Sequence, residues 1–341
     1  MPTPPLVAAV RRSLDSVGLL RPGVAVVAAL SGGPDSVALL DSLLRTARKP
    51  GLRVVAAHLD HALRKDSGAD ALFCEELCDR LKVRLRSGRA HPPARALREG
   101  GLEEAARLSR YSFLRRVARE ENASAIVLGH TLDDQAETVL MRLVRGSGAL
   151  GLSAMKPWDG ELLRPLLEIR RSAIMTHLSA HRLPYRSDPT NADVAFMRNR
   201  VRHELMPLLE EKFNPNIADA LGRTARILAE EHSALREVAA QILDRAAVAA
   251  VEGAAFELSV LKGAPEGLGK TALREALRRF GGLRSVSFVH VESLWGLVFQ
   301  GRGGATLPLP GGRKATVSRG RLILTGHDPS PGYSREKPFL S

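Results

Sequence analysis

An α/β protein built on a parallel sheet is predicted by three features of the chain. Short apolar runs at 24–30, 52–59 and 125–128 have the length of buried parallel strands. Stretches of helical spacing separate them, the strand–helix–strand order that right-handed crossovers require. A glycine turn, Ser31-Gly32-Gly33-Pro34-Asp35-Ser36, joins the first run to the helix after it. Ligands of such sheets sit beyond the carboxyl ends of the strands, where this turn falls. The α/β domain is read over residues 1–215, a long connecting helix over 216–250, a small basic α+β C-terminal domain over 251–325, and a disordered tail over 326–341.

In order, residues 5–19 read as an entry helix closed by Arg21-Pro22-Gly23. The helix after the glycine turn runs to about Arg48, where Lys49-Pro50-Gly51 breaks it. Leu52–Leu59 is the second strand. A helix follows over Ser67–Leu81, with Leu72, Phe73, Leu77, Cys74 and Cys78 turned inward. Residues 82–101 read as an irregular surface stretch with a short strand at Val83–Leu85. A helix over 103–114 carries Leu108, Tyr111 and Leu114 at helical spacing, with Arg107 and Arg110 neighbours on one face. Ala125–Leu128 is the third strand and Leu132–Met141 the helix after it. Another helix is expected at about Arg170–His181. From Asn216 to about Ala250 no glycine or proline follows Gly222, which predicts one long helix. The last part reads as a strand near Phe256–Val260, helices at Lys270–Phe280 and Val289–Leu297, and a hairpin from Ala305 to Leu324.

The chain has 341 residues and a formal net charge of +13. That excess favours a polyanionic partner, nucleic acid first; the plainer alternative is a solvated, arginine-rich surface. Between Lys270 and Arg321 ten Lys/Arg face two Glu, which places the polyanion surface in the C-terminal part. Two cysteines four residues apart make no disulfide framework and suit a reducing compartment. The first ten residues lack the basic start and cleavage site of a signal peptide, and no run approaches the ~18 apolar residues of a membrane span. A cytoplasmic protein without membrane contact is expected.

Four constellations carry chemistry. Gly32 and Gly33 let the backbone turn sharply, and Pro34 suits a first helical turn. The free amides and helix dipole there favour an anion such as phosphate. Ser31 and Ser36 add hydroxyls, and Asp35 can hold a hydrated cation such as Mg²⁺. No lysine ends the turn, so it is not a Walker loop. Second, His58-Leu59-Asp60-His61-Ala62-Leu63-Arg64 follows the second strand. Its histidines and Asp60 can be read as metal ligands or, better, as the wall of a nucleotide site with Arg64 facing an anion. Third, His130, Asp134 and Glu137 fall at i, i+4 and i+7, so one polar face starts at the end of the third strand. Fourth, Arg142-Leu143-Val144-Arg145-Gly146-Ser147-Gly148 and Arg198-Asn199-Arg200-Val201-Arg202 are basic stretches suited to phosphate.

The turn at 31–36 resembles the pyrophosphate (PP) loop of the ATP pyrophosphatases. The ordered set of Ser-Gly-Gly-Pro-Asp-Ser at 31–36, His-x-Asp-His-x-Leu-Arg at 58–64, Ala-Arg-x-x-Arg-Tyr at 106–111 and Gly-His-x-x-Asp-Asp-Gln-x-Glu-Thr at 129–138 is similar to that of the tRNA(Ile)-lysidine synthetases. Arg-Pro-Leu-Leu at 164–167, Asp-Pro-Thr-Asn at 188–191 and Arg-Asn-x-x-Arg at 198–202 continue it. The resemblance implies a Rossmann-like PP-loop ATPase domain and an RNA-modifying ligase. ATP would adenylate the C2 oxygen of the wobble cytidine of tRNA(Ile) with anticodon CAU, and the ε-amine of free lysine would displace AMP. It implies ATP binding by Ser31, Gly32, Gly33, Pro34, Asp35, Ser36 and His58, with Mg²⁺ at Asp35. Asp134 and Glu137 would receive the lysine ammonium or act as bases. Arg110 and His130 would stabilise developing charge. Arg145, Asn191, Arg198 and Arg202 would meet the tRNA. A homodimer stays open. Some members carry a further domain beyond the region ending near Leu324. Two rivals remain: a PP-loop tRNA thiolase, for which Cys74-x-x-x-Cys78 lacks a third partner, and an RNA-binding module with a vestigial loop.

Overall fold

The structure is a computed structural model that describes residues 5–48, 51–60, 67–90, 101–186, 197–250, 252–283 and 285–326. Two compact units divide it, the first ending at Ile227 and the second beginning at Leu228. The first holds α1 (Pro5–Ser16), β1 (Ala25–Ala29), α2 (Pro34–Ala47), β2 (Arg53–Asp60), α3 (Ser67–Leu81), β3 (Arg84–Arg89), α4 (Gly101–Glu120) and β4 (Ala125–Val127). It continues with α5 (Leu132–Val144), α6 (Ala149–Leu152), β5 (Leu162–Leu163), α7 (Arg171–Ala180), α8 (Met197–Arg200), a π-helical turn (Val201–Leu205) and α9 (Met206–Lys212). The helix α10 (Ile217–Ala246) carries the division between the units inside it.

The first sheet has the strand order β3-β2-β1-β4-β5, with all pairs parallel. Alternation along β1 serves both faces. Val26 and Ala28 join a core with Val37, Leu40, Leu43, Leu77 and Ile174. Ala25 and Val27 join another with Phe113, Leu114, Val117 and Ile126. Helices on both faces thus explain why the strands read as continuous apolar runs. From β1 the chain winds outward to β2 and β3, then returns to place β4 on the other side of β1. That reversal opens a crevice at the carboxyl ends of β1 and β4.

Local differences from expectation have physical causes. Leu72 and Leu108, expected inward, are 55% and 54% exposed, because α3 and α4 each bury a narrower face than the spacing suggests. Arg84–Arg89 is a full strand despite three arginines; Arg84 and Arg86 are satisfied by the buried carboxylate of Glu121. On the α2–α7 seam, Asp41 Oδ2 accepts from Arg45 Nε at 2.7 Å and meets His177 Nε2 at 2.8 Å. His181 completes a trio close enough to hold an ion, but Arg45 already occupies the shared oxygen, so the cluster reads as a packing network.

The second unit holds an antiparallel sheet, order β6 (Ala247–Val248), β7 (Ala254–Glu257), β10 (Arg321–Thr325), β9 (Arg313–Ser318), β8 (Thr306–Leu309). It packs with α11 (Leu258–Lys262), α12 (Glu266–Arg279) and α13 (Phe288–Gln300) around Leu261, Leu273, Leu277, Leu294 and Leu322. The strand expected through Val260 stops at Glu257 and becomes α11. The expected hairpin is a three-stranded meander. Several of the ten basic residues between Lys270 and Arg321 are not free surface charge. Glu275, 4% exposed, takes Arg278 and Arg279; Lys270 pairs with Glu266 and Glu292; Arg313 is buried against the carbonyls of Pro310, Leu277 and Gly282.

Candidate active site

The glycine turn forms between β1 and α2. Gly32 has φ +82°, a backbone conformation that L side chains rarely adopt, and a Cβ there would meet the Phe73 ring at 3.2 Å. Gly33 caps α2 with extended backbone and Pro34 opens the helix. The turn is laced by hydroxyls: Ser31 N and Ser31 Oγ each lie 3.2 Å from Ser36 Oγ, which donates to Gly33 O at 2.9 Å. A strap from the far end of the unit supports it, as Arg186 N donates to Gly32 O at 2.9 Å.

Asp35 lies in the first turn of α2. Its Oδ2 accepts from Arg171 Nη1 at 3.2 Å, while Oδ1 is buried with no partner. Burial, with Asp134 and Asp133 adding like charge, outweighs Arg171 and Arg202 and pushes its carboxyl up to about 6. A buried, unpaired carboxylate oxygen beside phosphate-binding amides is a fitting ligand for Mg²⁺.

His58 lies within β2, its Nδ1 2.9 Å from Leu30 O and 3.4 Å from Cys74 Sγ; its Nε2 is buried with no partner. Asp60 lies 3.4 Å from Arg89. Through Nδ1, His58 braces the end of β1 just ahead of the glycine turn. His61, Arg64 and Asn191 fall outside the described residues.

The third constellation assembles on α5. Thr131 caps the helix, and Asp134 Oδ2 returns to Thr131 N at 2.9 Å, closing a capping box. Asp134 Oδ1 accepts from Arg198 Nη2 at 2.8 Å and Arg202 Nη2 at 3.2 Å. Glu137, 2% exposed, accepts from Arg198 Nε at 2.9 Å and Arg202 Nε at 2.6 Å. Two carboxylates and two guanidiniums thus form one balanced cluster. Burial works against the Asp134 charge, yet Arg198, His130, the Thr131 amide and Arg202 together hold its carboxyl below the usual range. A carboxylate held that low receives cations well and is a weak proton acceptor at neutral pH. His130 is buried beside it, its Nδ1 without a partner, and burial drives its pKa down to about 4. It is a neutral imidazole, able to offer a hydrogen bond but not a positive charge.

Arg198 and Arg202, expected against the tRNA, reach the carboxylates of α5, with side chains 32% and 26% exposed. The π-helical turn, with Met206 N bonded to Val201 O, precedes Pro207, whose missing N–H cannot continue the α ladder. Val201 and Met206 pack with Ala136, Leu140 and Ala218, which holds the arginines against α5. Arg145 caps the exposed end of α5, and Arg110 is exposed on α4 with its charge felt at His130. Sequence reasoning missed Arg171, Arg164 and Gln135. Arg164 Nη1 donates to Lys156 O at 2.8 Å, and Gln135 pairs with both backbone groups of Met155 at 2.9 and 3.0 Å. Gln135 belongs to the quoted motif, but nothing in its spacing marks a loop clamp.

The acidic cluster and the glycine turn share one neighbourhood. Arg202 and Asp134 both act on Asp35, and a Cβ on Gly129 would stand 3.0 Å from Asp35 O. A model of the PP-loop domain matches residues 8–209. The chain is 37% identical to the tRNA(Ile)-lysidine synthase of Thermobifida fusca over 332 residues, 95% of this chain and 98% of that protein. The chain belongs to the tRNA(Ile)-lysidine synthase family. The same name is carried by a Geobacter sulfurreducens relative, 41% identical over 86% of this chain, and by one from Gloeobacter violaceus, 37% identical over 88% of this chain and 90% of that protein. This chain spans 63% of the Geobacter relative's length. Among solved structures, the U34-tRNA thiolase NcsA from Methanococcus maripaludis has a TM-score of 0.54 at 18% identity, covering 66% of this chain and 80% of that one. At that identity the likeness is one of fold alone. The thiols here suit no sulfur carrier: Cys74 and Cys78 are buried, and burial pushes both up to about 12. No helix among the described residues is long and apolar enough to cross a membrane.

Proposed function

We propose that the chain is a carbon–nitrogen ligase that converts the wobble cytidine of tRNA(Ile) bearing CAU to lysidine, acting in the cytoplasm. ATP binds with its phosphates on the 31–36 turn, and the C2 oxygen of the base attacks the α-phosphorus. Pyrophosphate leaves; the lysine ammonium gives up a proton to solvent, and the neutral ε-amine attacks C2, the new C2–N bond forming as the C2–O bond to AMP breaks. Mg²⁺, held by Asp35, would offset phosphate charge. Asp134 and Glu137 receive the lysine ammonium. An ammonium arriving there competes with Arg198 and Arg202 for the same oxygens, and an arginine so released is placed to meet RNA phosphate. His130, being neutral, donates a hydrogen bond to the base or the α-phosphate, and Arg110 supplies the positive charge.

The observation that carries this reading is the meeting of two unlike features at one crevice. Orphaned polar atoms of Asp35, His58 and His130 gather at the strand ends, next to an ionised cluster suited to an amine. The test is incubation of the purified protein with ATP, Mg²⁺, radiolabelled lysine and either tRNA(Ile) bearing CAU or the methionine tRNA with the same anticodon. Label is expected in the first alone; label in neither overturns the reading. Replacing both cysteines by alanine is expected to leave labelling intact, whereas a thiolase would lose its activity.

A further inference from the structure

Phosphate-binding loops commonly bring their own cation, and this one has none: between Ser31 and Ser36 there is no lysine or arginine. The amides, hydroxyls and helix dipole of the turn supply only partial charges. The pyrophosphate end of ATP carries several full negative charges, and in a half-buried site these call for a full positive charge.

The guanidinium at the turn's own carboxylate comes from another element. Arg171 is the first residue of α7, and its Nη1 lies 3.2 Å from Asp35 Oδ2. Its backbone is fixed, because Arg171 N donates to Asp133 Oδ2 at 2.7 Å. Its side chain is 40% exposed, so the head can move while the root stays put. Among the described residues near the turn, Arg186, Arg198 and Arg202 are committed elsewhere. Arg186 Nε lies 2.5 Å from Asp70, and Arg198 and Arg202 hold Asp134 and Glu137.

We propose that Arg171 is the missing loop cation: it parks on Asp35 in the unloaded site and turns to the β- and γ-phosphates when a nucleotide arrives. The inference rests on the ATP-binding reading above. A metal ion on Asp35 takes over the carboxylate that Arg171 held, so loading the metal and freeing the arginine are one exchange. The planar fork of a guanidinium suits phosphate oxygens. After cleavage the same contact holds pyrophosphate, which makes Arg171 a binding residue for the leaving group as well.

Calorimetry separates this from a structural role. Binding of MgATP, pyrophosphate and AMP is measured for wild type, Arg171→Ala and Arg171→Lys, each checked for an unchanged thermal midpoint. Arg171→Ala is expected to weaken ATP and pyrophosphate about tenfold or more, the loss of one charge-assisted contact, and to leave AMP unchanged. Arg171→Lys is expected to fall between. In metal-free buffer, Asp35→Asn is expected to bind pyrophosphate more tightly than wild type, and that gain should vanish when Arg171→Ala is added. A gain that persists in the double variant means simple relief of repulsion and overturns the exchange. Equal loss for AMP and ATP, or no loss for pyrophosphate, overturns the role of Arg171. If wild type labels tRNA(Ile) with lysine while Arg171→Ala keeps its ATP affinity, this inference fails and the proposed function stands. If wild type binds no ATP, the underlying reading fails.

Discussion

At the scale of single residues, Asp35 couples protonation to both stability and metal affinity. Its carboxyl is raised from 3.8 to about 6, so its favourable contribution is complete below the unfolded value and is lost as pH rises through about 6. Above that pH the charged form is a burden on the order of 3 kcal/mol. Asp35→Asn is therefore expected to raise the free energy of unfolding at pH 8 by up to about 3 kcal/mol and to change it little below pH 4, as read by urea melts. Metal binding needs the carboxylate, so the Mg²⁺-dependent part of ATP affinity should fall as pH drops below about 6. Glu137 presents the opposite case. Removing it strands Arg198 and Arg202 in a half-buried cluster, and Glu137→Ala is expected to cost about 3 kcal/mol of stability. If Glu137 receives the lysine ammonium as proposed, lysine labelling should drop at least about 100-fold even where the variant remains folded.

At the scale of elements, the site depends on how closely β4 approaches α2. A Cβ on Gly129 would meet Asp35 O at 3.0 Å, Asp35 C at 3.1 Å and Ser36 N at 3.3 Å, all backbone. Gly129→Ala must push the glycine turn and the start of α5 apart by a few tenths of an ångström. An increase of about tenfold in the KM for ATP, with the thermal midpoint little changed, is the expected outcome. This closeness was not legible in the sequence, where Gly129 reads only as the end of a strand. Much else was. The apolar runs gave β1, β2 and β4, because strands buried on both faces carry that signature. The i, i+4, i+7 spacing placed His130, Asp134 and Glu137 on one side of α5. What stayed hidden depended on partners far along the chain. Arg171 finds Asp35 across 136 residues, and Arg202 finds Glu137 across 65. In the basic stretch 198–202, Arg198 and Arg202 look solvated until their carboxylate partners on α5 are seen, while Arg200 stays exposed. Leu72 and Leu108 err the other way, since periodicity marks a face without saying how much of it is covered.

At the scale of the molecule, a formal charge of +13 says that a polyanion should bind, but not which charges do the binding. In the second unit the ion pairs sort them. Arg278 and Arg279 neutralise Glu275, Lys270 is shared by Glu266 and Glu292, and Arg313 serves backbone carbonyls in the core. Arg302, Lys314 and Arg319 remain exposed on or beside the meander strands. If the meander meets tRNA, those three carry its phosphate contacts and the paired or buried ones do not. Each phosphate contact contributes roughly 0.7–0.9 to the slope of log affinity against log salt. Replacing Arg302, Lys314 and Arg319 together by alanine should weaken tRNA binding and flatten that slope by about 2, while kcat at saturating tRNA is unchanged. Arg313→Ala serves as the contrast. It removes one formal charge as well, yet it should lower the thermal midpoint by emptying a buried hydrogen-bonded site and leave the slope of the surviving folded protein unchanged. A slope flattened by Arg313→Ala as well, by about a third of the triple variant's effect, would mean that net charge, not its placement, governs RNA affinity.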